Sequence, residues 1–316
     1  MFPQKRNLSI IGLADRGLII FPGALGDLIC LLPSIRALMA RHVDVTFDLM
    51  ARAELARFAV GRMGMRAGHS IERQEVAHLF AENGVQKAAP FFSQFTRIEC
   101  FFASDNHSFR RSLKLVARGR VSFYPFRPAG GGHMAEAYLR LLGEPLIQPL
   151  RNIIDLRPED LSRAQARLQR LGLEPGRFVL FLPGSGSIRK NWPADNFAAL
   201  ANTVRPLLVP LVVLGPAETA LDSSFAKGDL LVLKDLELGE LAGTARLSRA
   251  FVGNDSGVSH LAATAGGHGL VLFGPTEPER WRPLGDIRII RREPLQSLSV
   301  AEVSRELAEL LDSRTA

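Results

Sequence analysis

Cysteine is scarce in this chain: only Cys30 and Cys100 occur, both in apolar stretches and without metal-ligand spacing. That excludes a disulfide framework and points to buried, reduced thiols. Long apolar runs are missing too. Asp27 interrupts the stretch from Leu18 to Leu32 and Pro210 the one from Leu207 to Leu214, so none reaches the ~18 residues a membrane-spanning helix needs. Lys5 and Arg6 precede a few apolar residues, but Asp15 and Arg16 cut that run short and no small-residue cleavage site follows. The expectation is a cytoplasmic protein. No low-complexity tract or short repeat appears. No glycine loop ends in Gly-Lys-Ser/Thr, and the first has only Gly23-x-x-Gly26, so ATPase and nicotinamide chemistry fall back.

What is present is 316 residues, 47% hydrophobic and 22% charged, enough for two ordinary domains with substantial cores. The net charge of +7 favours an anionic partner, whether a phosphate-bearing substrate, an anionic lipid surface or nucleic acid. The basic residues are not organised around a recognisable nucleic-acid module, which sets that partner aside. Apolar runs at Gly17 to Phe21 and Val43 to Met50 flank a helical pattern from Leu28 to Ala40. This strand, helix, strand alternation marks an α/β unit with a parallel sheet. Ile98 to Phe102 reads as a further strand and Met134 to Leu142 as a helix. Breakers between Pro149 and Arg157 suggest a link. A second series follows, with strands at Phe178 to Leu182, Leu207 to Leu214, Leu230 to Leu233, Ala250 to Gly253 and Gly269 to Phe273. Helices are expected at Glu159 to Leu171, Pro193 to Val204, Leu238 to Leu247 and, amphipathic and terminal, Val300 to Leu311.

Three glycine-containing loops follow predicted strands: Pro22-Gly23-Ala24-Leu25-Gly26-Asp27, Pro183-Gly184-Ser185-Gly186-Ser187 and Gly253-Asn254-Asp255-Ser256-Gly257. Open parallel sheets bind ligands at such places, beyond the carboxyl ends of their strands. In their order and spacing, Gly26-Asp27, the run from Gly184 to Pro193 and the run from Gly253 to His260 resemble the glycosyltransferase family 9 heptosyltransferases. Gly274-Pro275-Thr276, Trp281-x-Pro283 and Gly132-His133-Met134 leading into Tyr138 to Leu142 extend the resemblance. It implies a GT-B fold, two facing Rossmann-like doubly wound domains with the active site in the cleft. Residues 1–155 would form the acceptor-side domain and 156–298 the nucleotide-sugar-binding domain. Residues 299–316 would form a helix crossing back to the first domain. It further implies heptose transfer from ADP-heptose to a lipid A-core acceptor, with no cofactor.

On that resemblance Asp27 is the catalytic base, within a loop shaped by Gly23 and Gly26. The alternative is that its carboxylate only caps the helix it begins. Lys190, between a Gly-Ser loop and a helix start, suits a diphosphate, or is an exposed surface lysine like Arg189 beside it. Ser185 matches a donor-contacting hydroxyl, or bonds its own turn. Glu218 matches the carboxylate for ribose hydroxyls, or opens a solvated helix. Leu236 matches the adenine-lining position, or is ordinary core. Asp255, Ser256 and Gly257 form a turn for the donor's phosphates and sugar. His260, one helical turn on, either holds a phosphate or sugar oxygen or is a satisfied core histidine. No Asp-x-Asp motif follows a strand of the second half, so no metal is expected.

The resemblance weakens between Arg52 and Arg127. There Arg97 to Phe102 runs into Ala103 to His107 in place of the usual acidic, glutamine-glycine-like segment. Arg110, Arg111, Lys114, Arg118, Arg120 and Arg127 lie in this region among phenylalanines. They fit phosphorylated lipid at a membrane face, or a basic solvated helix face. Gly266-Gly267-His268-Gly269 also replaces the usual Leu-Gly-x-Pro. A GT-B transferase with another nucleotide sugar, and a catalytically silent donor-binding relative, remain as alternatives.

Overall fold

The computed structural model describes residues 15–146, 153–221, 224–225 and 228–313; Lys5, Arg6 and the 149–152 part of the expected link lie outside them. Five strands form the first sheet: β1 (Asp15–Ile20), β2 (Val45–Ala51), β3 (Gly68–Ser70), β4 (Arg97–Cys100) and β5 (Arg120–Phe123). Six form the second: β6 (Phe178–Leu182), β7 (Val209–Leu214), β8 (Leu231–Lys234), β9 (Ala250–Asn254), β10 (Gly269–Phe273) and β11 (Ile287–Arg291). All neighbours are parallel, in the orders β3-β2-β1-β4-β5 and β11-β10-β9-β6-β7-β8. Both are doubly wound, so strand order reverses between β1 and β4 and again between β6 and β9, where such sheets open a crevice for ligands.

The helices of the first unit are α1 (Leu25–Arg41), α2 (Ala53–Ala59), α3 (Gln74–His78), α4 (Val85–Phe92), α5 (His107–Val116) and α6 (Met134–Leu141). Those of the second are α7 (Pro158–Arg170), α8 (Ala194–Val204), α9 (Leu238–Leu247), α10 (Gly257–Thr264), α11 (Pro278–Trp281) and α12 (Val300–Asp312). The central strands β6, β9 and β10 are buried along their whole length, as a sheet covered on both sides requires. Leu18 and Ile20 of β1 point into a cluster with Phe92, Phe95, Phe109 and Leu113, whereas Ile19 points the other way, toward Leu28 and Ile35 of α1. Among the described residues no helix is long and apolar enough to cross a membrane.

One apolar cluster runs from the inner face of the first sheet, through α1 and α10, to Leu180, Phe251 and Val271 of the second. The approach is close because two glycines meet. A Cβ on Gly257 would lie 3.0 Å from Leu25 Cβ and 3.1 Å from the Gly26 nitrogen. Where the link is described it bonds to both units: Ile154 N–H donates to the Thr264 carbonyl and Asp155 N–H to that of Arg62, both at 3.0 Å.

The expected return of 299–316 to the first domain is not what its described part, 299–313, does. α12 packs on α8 and β10, placing Val303, Leu307 and Leu310 in one cluster with Val179, Phe181 and Trp192. Its apolar stripe, at i, i+4 and i+7, covers the outer face of the second sheet. Ser299 caps the helix by accepting from Glu302 N–H at 3.2 Å.

Candidate functional site

The loops after β1, β6 and β9 stand at the two points of strand-order reversal, and they face each other. Between them lies a cleft of about 620 Å³ lined from both units, by residues that include Asp27, Arg127, Ser185, Lys190, Glu218, Asp255, Ser256, Gly257 and His260.

Asp27 is placed by aromatic packing below its loop. Phe21, fully buried, meets Phe101, Phe126 and Tyr138 edge to face with centroids 5.5 to 6.0 Å apart. Gly23 lets the chain fold over that ring, since a Cβ there would sit 2.4 Å from Phe21 Cε1 and 2.8 Å from Asp27 Cβ. Asp27 is therefore third in α1 rather than its cap, and its Oδ2 accepts from Ala24 N–H at 3.2 Å. The one side chain thus closes the first turn of α1 and also lines the cleft. Arg127 Nη2 approaches its two oxygens at 3.4 and 3.5 Å, long for hydrogen bonds, so the pair is a loose ionic contact.

On the opposite wall, Lys190 ends a short 3₁₀ turn and its ammonium donates to Asp255 Oδ2 at 2.7 Å. It is thus no idle surface lysine. Asp255 is 4% exposed and begins the turn into α10. Ser256 caps that helix, accepting from Ser259 N–H at 3.3 Å, and leaves the first amides of α10 at the cleft as an anion-attracting edge. His260, one turn inside, is buried, and burial pushes its pKa down to about 4. At neutral pH it is an uncharged imidazole that can donate or accept a hydrogen bond but adds no positive charge.

Ser185 lines the cleft yet spends its hydroxyl locally, against the Ser187 carbonyl at 2.8 Å and Asn191 Oδ1 at 2.5 Å. Its turn role is present in the same side chain. Glu218 follows β7 and takes Gly215 N–H on Oε2 at 2.7 Å. A Cβ on Gly184 would strike its Oε1 at 2.3 Å, so two glycines form its seat. Leu236 does not line the cleft: it is half-buried against the apolar cluster shared by the two sheets. Asp235, at φ 55°, turns the chain just before it, and its side chain is spent on packing.

Two site features escaped the sequence reading. Asn254, fully buried, accepts from Trp192 N–H on Oδ1 at 3.1 Å and donates from Nδ2 to the Pro183 carbonyl at 2.7 Å. It fastens the loops after β6 and β9 together. Its signal was an amide at the end of a wholly apolar strand, where a buried polar group needs partners. Arg127, grouped above with the lipid-facing basic residues, instead stands beside Asp27. Its guanidinium lies 5.1 Å from the Phe126 centroid and 5.6 Å from that of Trp281.

Comparison with known proteins bears on the family and the fold. A family model described as glycosyltransferase family 9 (heptosyltransferase) matches residues 107–307. Lipopolysaccharide heptosyltransferase 1 of Pseudomonas aeruginosa is 32% identical over 170 residues, 52% of this chain but only 45% of that protein. Lipopolysaccharide heptosyltransferase 2 of Escherichia coli is 26% identical over 311 residues, 87% of each. Among solved structures, E. coli ADP-heptose LPS heptosyltransferase II superposes with a TM-score of 0.77 at 20% identity, covering 95% of this chain and all of that one. A family 9 glycosyl transferase from Veillonella parvula gives 0.78 at 18% identity, covering 95% and 98%.

Proposed function

The chain belongs to glycosyltransferase family 9, and we propose that it moves a heptose from ADP-heptose to a lipopolysaccharide inner-core acceptor with inversion at the anomeric carbon. The observation that carries this reading is one cleft holding a carboxylate on its first wall and, on its second, a lysine beside a helix N-terminus. Residues 1–155 would hold the acceptor and 156–298 the donor.

In the reaction the acceptor oxygen bonds to the anomeric carbon while the bond from that carbon to the β-phosphate oxygen breaks, its electron pair leaving with ADP. Asp27 receives the hydroxyl proton as that oxygen acidifies. The Lys190 ammonium and the first amides of α10 meet the charge that grows on the departing diphosphate. Glu218 takes the ribose hydroxyls, Asp255 the sugar hydroxyls, and neutral His260 a phosphate or sugar oxygen.

A wider reading, a GT-B transferase with another nucleotide sugar, is favoured by one observation: Leu236 lies half-buried against the apolar cluster and does not line the cleft, leaving the base without its expected contact. Screening purified protein against ADP- and UDP-sugars separates the two. The expected result is turnover with ADP-heptose alone, unaffected by EDTA. Turnover with a UDP-sugar sinks the heptosyl reading, and donor binding without turnover makes the chain a silent relative.

We place the protein in the cytoplasm, touching the cytoplasmic face of the inner membrane through α5. From Asn106 to Ala135 there are six Lys or Arg and no Asp or Glu. On α5, Phe109, Leu113 and Val116 are buried, whereas Arg111, Lys114 and Leu115 are exposed. Each basic residue near an anionic surface adds ~1 kcal/mol. The chain is therefore expected to float with phosphatidylglycerol-containing vesicles at low salt and not with phosphatidylcholine alone. An Arg111→Glu/Lys114→Glu/Arg118→Glu variant that floats as well as the parent rules this contact out.

A further inference from the structure

Arg280, on α11 of the second unit, reaches across to a glycine-rich loop of the first. Its Nη1 donates to the carbonyls of Gly130 at 2.7 Å and Gly132 at 3.1 Å, and its Nη2 to that of Pro128 at 2.6 Å. Three carbonyls converge on one guanidinium because Gly130 (φ 101°) and Gly132 (φ 78°) adopt left-handed backbone that other residues rarely enter. A second bond lies beside the first. His133 Nε2 donates to the Arg282 carbonyl at 2.8 Å while its Nδ1 accepts from Ala135 N–H at 3.2 Å. That tautomer is a neutral ring, in keeping with the burial that lowers the affinity of His133 for a second proton.

The clamped segment begins one residue after Arg127. The residue after Arg280 is Trp281, whose ring is one of the two aromatic faces flanking the Arg127 guanidinium. Arg127 has a side chain 59% exposed, and such a chain keeps wide rotamer freedom unless something holds it. Here both the backbone that directly follows it and one face of its side chain are held from the second unit.

We propose that Arg280 is a positioning residue for catalysis: by clamping Pro128 to Gly132 and carrying Trp281, it sets Arg127 against Asp27 across the domain boundary. The catalytic half rests on the reading of Asp27 as the base. The structural half does not, and this separates the two in the test.

The test uses the full chain with Arg280→Ala and Arg280→Lys, each checked for an unchanged melting midpoint. Trp192 is 1% exposed, so acrylamide quenching of tryptophan fluorescence reports Trp281 without any substrate. Arg280→Ala should raise quenching severalfold. Arg280→Lys, whose donors all radiate from one nitrogen in place of the two spaced nitrogens that reach these carbonyls, should fall between it and the parent. With donor and acceptor, Arg280→Ala should lower kcat by ~10–100-fold with the donor KM unchanged. Added to Arg127→Ala it should cost no further rate, because both act through one contact. Unchanged quenching overturns the proposal even if the donor reading fails. Raised quenching with undiminished kcat, or two effects that multiply, overturns it where transfer is observed. Raised quenching in a protein that transfers no sugar sustains the clamp and places the failure in the functional reading.

Discussion

Replacing Asp27 with Asn is expected to lower turnover by ~10²–10⁴-fold while donor affinity changes little. The substitution isolates proton acceptance. Asp27 already serves α1 by accepting from Ala24 N–H, and the Asn amide oxygen can accept the same bond, so the helix start survives. Shape is kept, and so is the tight fit to Gly23. Two things are lost: the basicity that the proposed transfer draws on, and the charge facing Arg127. Steady-state kinetics with both substrates, beside calorimetric titration of ADP, separates rate from binding. Near-normal turnover would reduce Asp27 to a support of the helix start and move the base to another group of the cleft, which also holds Glu218, Asp255 and His260.

Why this residue was legible in the sequence, and others were not, follows from how far apart the partners of each lie. The role of base comes from the family resemblance, but the placement of Asp27 after a strand, in a glycine turn that opens an apolar helix, is read within a dozen residues. The same holds for β10, whose bounds Gly269 and Phe273 are read directly from an apolar run between glycines. β3 is the opposite case. Gly68, His69 and Ser70 carry no apolar alternation, and the strand exists because β2 offers an edge to pair with. For α12 the amphipathic stripe says that the helix packs but not against what, and the answer lies partly with α8, about a hundred positions earlier, and partly with β10. The cross-links of the site are equally distant. Asn254 reaches Pro183 and Trp192, and Arg280 reaches the loop before α6. No local pattern encodes such pairs; the sheet order creates them.

The Lys190–Asp255 pair offers the second large effect, because its two ends should respond with opposite signs when bare ADP is the ligand. The 2.7 Å contact means that an arriving diphosphate meets a lysine already engaged and a carboxylate that repels it. Two unit charges ~4 Å apart at an effective dielectric near 20 interact by ~4 kcal/mol, and water in the open cleft screens part of that. Lys190→Ala removes the cation and leaves Asp255 buried and unpaired, which costs more than the lost attraction alone. ADP affinity is expected to fall by ~10²-fold or more, and turnover to fall with it, since the lysine also meets the leaving charge. Asp255→Asn frees the ammonium and removes the repulsion, so ADP alone should bind ~10-fold more tightly. On the proposed reading the sugar hydroxyls lose their carboxylate in the same variant, so transfer is expected to slow despite the tighter nucleotide. Calorimetric titration of the two variants with ADP needs no acceptor and reads both signs directly. Weaker ADP binding in Asp255→Asn would mean that Asp255 serves to hold Lys190 in place, and the carboxylate would then belong to the phosphate site rather than to the sugar.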